Sequence, residues 1–206
     1  MGVDFIAILK HTLSIPAVRE LPVALTPDAA PRLARATAAL ARTGDPIGSA
    51  IEGEPMWHIN ESEMSGGALE EVWASGGPIE LAGPHNLHLG LFRQGCELSD
   101  STRWQAFLGD QPRQLALRRC CYELARILGS PSAIYVPDDA GVVLWDGLPY
   151  EQIPAWLHEW YGSPPPTLSV VTTARPLAPF SARDFGGERY FIDTFADFTQ
   201  NAGDTQ

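Results

Sequence analysis

The segment Tyr135-Val136-Pro137-Asp138-Asp139-Ala140-Gly141 puts two adjacent carboxylates just beyond an apolar run. Paired carboxylates hold a divalent cation, or divide into acid and base, which is the chemistry of a metal-assisted hydrolase. The same residues also make a turn. Pro fixes φ, Asp bonds its own backbone, and Gly accepts a positive φ. One carboxylate pair supplies too few ligands for magnesium or calcium. We therefore read a turn first, and keep a hydrolase using Asp138 and Asp139 as the alternative.

The other chemistry-bearing residues point less clearly. His85-Asn86-Leu87-His88 is the nearest approach to a metal motif. On a strand, side chains at i and i+3 face opposite ways, so the two imidazoles do not share an ion. His58 or Cys96 would have to be brought in by the fold, and no metal or other cofactor is expected. Cys96 is followed by Glu97, whose charge raises a thiol pKa and works against a nucleophilic thiolate. Cys120 and Cys121 are adjacent in a helical pattern, and three cysteines make no disulfide framework. All three read as reduced, apolar core side chains. Asp193 and Asp197 share a face if their segment is extended, and read as a solvated acidic pair on an edge strand. The sequence contains no glycine-rich phosphate loop, no nucleophile elbow and no His-Glu-x-x-His.

Charge is the more informative signal. The 206 residues carry a formal net charge of −11. No Lys or Arg occurs between Arg42 and Arg93, an interval holding Asp45, Glu52, Glu54, Glu61, Glu63, Glu70, Glu71 and Glu80. Such a field repels nucleic-acid phosphate and anionic membrane, and it attracts a basic protein. Trp57 and Trp73 lie in the same interval and are the expected aromatic anchors. The expected partner-binding set is Glu52, Glu54, Trp57, Glu61, Glu63, Glu70, Glu71 and Trp73. No apolar run approaches the roughly 18 residues of a membrane helix, and Asp4 stands where a signal peptide carries positive charge. A cytoplasmic protein is expected. The basic residues are nearly all Arg, a composition that fits a GC-rich, bacterial genome.

These residues need elements to position them. Val3–Leu9 is apolar on both faces except at Asp4, as in a central strand. Ser14 begins a short helix that Pro22 is expected to end, and a second helix runs from near Asp28 to Gly44. Leu87, Leu89 and Leu91 alternate as a strand does. Asp110 and Gly129 bracket the strongest helix, in which Leu117, Cys121, Leu124 and Leu128 recur at helical spacing. Strands follow at 133–136, 142–145, 168–172 and 190–195. Between the second and third of these, Ile153, Trp156, Leu157, Trp160 and Tyr161 form one helix face and are expected to cover the sheet.

Mixed order without regular βαβ alternation predicts an α+β fold, one mostly antiparallel or mixed sheet with helices packed against it. Residues 1–198 are expected to form a single domain, and 199–206 a polar tail. The function expected is a non-enzymatic acidic module, of the immunity or inhibitor type, that binds a basic partner.

Overall fold

The computed structural model of the protein describes residues 4–43, 56–60, 68–138, 147–162, 167–171 and 190–195. Its first half contains β1 (Asp4–Leu9), α1 (Ile15–Ala24), α2 (Pro31–Ala41), β2 (His58–Ile59), α3 (Leu69–Ser75), β3 (Ile79–Ala82) and β4 (His88–Phe92). Then come β5 (Gly95–Arg103), α4 (Trp104–Gly109), α5 (Gln111–Leu128) and β6 (Ser132–Pro137). The last elements are α6 (Ile153–Tyr161), β7 (Thr167–Val171) and β8 (Phe191–Phe195).

Among the described residues the strands form one eight-stranded sheet, ordered β2-β3-β4-β5-β1-β6-β8-β7. Only the β7–β8 pairing is parallel, so the α+β fold expected from the sequence is the fold found. β1 is central, between β5 and β6, and its two apolar faces are both covered. Phe5, Ala7 and Leu9 enter a large core shared with α1 to α5, while Ile8 enters a smaller one shared with α6. The strand alternation of side chains thus feeds two hydrophobic layers.

α5 is built as its sequence suggests. The Asp110 side chain accepts from the Arg113 N–H at 3.2 Å, and Gly129 closes the helix at φ 74°. Leu117, Cys121 and Leu124 are fully buried.

Other boundaries differ from expectation. α1 passes through Pro22 to Ala24, because a proline near a helix end removes only its own N–H bond; Leu25 N–H still reaches Leu21 O at 3.0 Å. α2 begins at Pro31, where the missing N–H has no partner to lose. β5 and α4 have no counterpart in the spacing analysis. Along β5, residues 96, 98, 100 and 102 are buried, yet two of them are Asp100 and Thr102. Asp100 is compensated by the Thr102 N–H at 2.9 Å and by Arg113 at 3.2 Å.

Candidate partner-binding surface

The residues first suspected of chemistry are kept apart. Asp138 is exposed just past β6, and Asp139 and the expected 142–145 strand lie outside the described residues. His85 and Asn86 both have positive φ, at 60° and 61°, in the hairpin between β3 and β4. That is the backbone of a two-residue turn whose twist matches the strands, and both residue types tolerate it better than most. Leu87 N–H closes the turn on Pro84 O at 3.3 Å, and Gly83 N–H bonds Leu87 O at 2.8 Å beside it. Among the described residues, no group of three or more His, Cys, Asp or Glu is arranged to hold a metal ion. Cys96, Cys120 and Cys121 are free thiols with no exposure. Burial, and then neighbouring negative charge, pushes each thiol well above its ordinary range, so none is poised as a thiolate.

Asp193 overturns an expectation. It does not lie on a solvated edge: β8 runs between β6 and β7, and Asp193 shares the inward face with Phe191 and Phe195. Its carboxylate accepts from Arg118 Nε at 2.8 Å, Arg118 Nη2 at 2.7 Å and the Tyr135 hydroxyl at 2.7 Å. Arg118 and Asp193 side chains are both 0% exposed. Burial alone would pull the Arg118 pKa down, and the Asp193 carboxylate more than reverses this. Burial, and then the Asp193 charge, drives the Tyr135 hydroxyl well up. The carboxylate joins Arg118 to Tyr135 where neither charged side chain reaches solvent, which suits a structural tie between α5 and the sheet. Asp197 lies outside the described residues.

The expected acidic surface is described only in part. Glu52, Glu54, Glu61 and Glu63 fall outside the described residues. Glu70 and Glu71 are exposed on α3. Glu70 pairs with Arg19 of α1, and Glu71 reaches back to the Ala68 N–H at 3.4 Å at the helix start. The Glu70 backbone N–H, and then Arg19, hold its carboxyl below the usual range. The aromatic anchors must be corrected. Trp57 is 5% exposed and Trp73 is 9% exposed, and both belong to the large core. Trp57 lies against Gly83, where a Cβ would fall 2.5 Å from the indole ring. Hydrophobic transfer outweighs any surface role for side chains of this size when a sheet is available to cover them.

The exposed aromatic surface is elsewhere, on α6. Ile153 and Leu157 are fully buried against the sheet, as their spacing requires. Trp160 was expected beside them, yet it is 65% exposed and stacks on Trp156, with ring centroids 5.1 Å apart and planes 17° from parallel. Helical spacing gives a side chain's direction around the axis, not whether a sheet lies beneath that turn. Trp156 packs against the small core as expected, and Trp160, one turn on, stacks on it instead of on the sheet. Glu159 is exposed next to Trp160, and Glu151, at the N-terminal end of the same segment, pairs with Lys10.

The chain matches no protein-family model, no curated protein and no solved structure. Among the described residues, no helix is long and apolar enough to cross a membrane.

Proposed function

We propose that the protein is a non-enzymatic module that binds a basic partner protein, of the immunity or inhibitor kind, and that α6 carries the contact. The observation behind this reading is Trp160, a 65% exposed indole held flat on Trp156 beside Glu159, in a chain of net charge −11. An exposed indole face receives a guanidinium through cation–π attraction, and Glu159, the preceding residue of α6, adds to the negative field there. Because Trp156 already restrains Trp160, little side-chain freedom is lost on contact. α3 packs into the large core and α6 into the small one, on opposite faces of the sheet. Glu71 therefore acts on such a partner through the field, raising its rate of encounter rather than touching it, while the Glu70 charge is met by Arg19.

The test is titration with an arginine-rich peptide, followed by tryptophan fluorescence at low and high salt. A saturable change that weakens with salt is expected, and Trp160→Ala should weaken it about tenfold without changing the thermal melt. Binding left at full strength by both Trp160→Ala and Glu159→Gln would trace the affinity to net charge alone and overturn the assignment to α6.

A further inference from the structure

An acidic chain also carries a concentrated patch of the opposite sign. Arg32, Arg35, Ala36 and Ala39 of α2, together with Arg119 of α5, line an open concavity of about 420 Å³. α2 and α5 pack on each other, so three arginines line one concavity from two helices. Lys10, Arg19, Arg103, Arg113 and Arg118 each sit in an ion pair of their own, while Arg119 and Arg126 share Glu123. Arg32 and Arg35 are exposed and make no ion pair among the described residues. Arg119 is held in place, 2.8 Å from Glu123 Oε1 and with its guanidinium carbon 5.1 Å from the centre of the Tyr122 ring. Glu123 also receives Arg126, so its single charge is shared between two arginines and leaves the concavity cationic.

We propose that this concavity is a binding site for a small molecule bearing a terminal phosphoryl group. Three arginines lining one concavity match a tetrahedral group with three acceptor oxygens and nearly two charges, whereas a planar carboxylate is satisfied by one guanidinium fork. The volume is within the range of small-molecule sites and exceeds what one phosphate fills. Ala36 and Ala39, with no side chain beyond Cβ, leave room for an organic part beside the phosphoryl group. Nucleic acid is disfavoured as the occupant, because a net charge of −11 repels a long polyanion more than a single dianion.

The experiment compares the intact protein with an Arg32→Gln/Arg35→Gln variant, by thermal shift and calorimetry, using inorganic phosphate and phenyl phosphate at constant ionic strength. Both arginines are exposed, so the variant is expected to fold, and its own melt supplies the baseline for general salt effects. Phosphate should stabilise the intact protein more than the variant, phenyl phosphate should bind more tightly than phosphate, and affinity should fall as the phosphoryl group is protonated below about pH 6. Loss of both guanidiniums should weaken binding about a hundredfold. Arg93→Gln, at an exposed arginine outside the concavity, should leave binding unchanged. Equal responses of intact protein and double variant, or equal loss in Arg93→Gln, would overturn the proposal. So would a dimer that dissociates in the double variant, since the concavity would then be an interface between copies of the chain.

Discussion

Replacing Asp193 by Asn is the sharpest test of how this fold is held together. The carboxylate accepts three charge-assisted or hydroxyl bonds, from two Arg118 nitrogens and Tyr135, at 2.7–2.8 Å, inside a core where neither charged side chain has any exposure. Asn keeps the shape but removes the charge and turns one acceptor into a donor facing a guanidinium. Breaking a buried pair from one side costs about 3–5 kcal/mol, since the remaining charge stays buried without its counterion. A domain typically holds about 5–15 kcal/mol in all, so Asp193→Asn should lose a large share of its stability. Arg118→Met/Asp193→Leu/Tyr135→Phe removes both buried charges and the hydroxyl together, and should recover part of that loss, because neither buried charge is left without its counterion. Urea unfolding, followed by tryptophan fluorescence and far-ultraviolet circular dichroism, measures each step. An Asp193→Asn midpoint within about 1 kcal/mol of the parent, or a triple variant as unstable as the single one, would refute the account.

Three further outcomes are expected. Leu124→Ala, at a fully buried position of α5, should cost about 2–5 kcal/mol in the same assay, as core truncations do. Gly83→Ala would push a methyl to 2.5–2.8 Å from three ring atoms of Trp57, and the resulting overpacking should cost about 1–3 kcal/mol and shift tryptophan emission, an effect that Trp57→Leu should partly relieve. His11 is buried as the neutral ring, with Nε2 donating to Gly95 O at 3.0 Å and Nδ1 accepting from Leu13 N–H at 3.1 Å. Burial holds its pKa below the ordinary value, so the unfolded chain takes up the proton first. Its contribution is complete above the unfolded pKa of about 6.5 and fades as pH falls toward the folded one. Unfolding midpoints between about pH 7.5 and 5.5 should therefore fall less steeply in His11→Asn than in the parent; parallel slopes would refute this.

Local physical chemistry was enough for much of the fold. Asp110, Gly129 and the leucine spacing between them specify α5, and a strand apolar on both faces had to be central, as β1 is. Turn residues identified Asp138 as the end of a strand, and the Glu97 charge beside Cys96 marked an unreactive thiol before its burial was known. What failed was equating polar with outside at Asp193, and β5, with its buried Asp100, was missed for the same reason. Asp100 and Asp193 each stand on the inward face of a strand, made neutral by Arg113 and Arg118 from α5, and such pairing across 13 and 75 residues has no local signature. For Asp193 there was one usable signal: Phe191 and Phe195 flank it on the same face, so it had to be either buried and paired or part of an exposed aromatic patch. The tryptophans failed in the opposite sense. Trp57 and Trp73 looked like surface because acids surround them in the sequence, whereas Trp160 looked like core because its helical phase is right. Sequence sets which way a side chain points from its own element; only the tertiary structure decides whether another element is there to meet it.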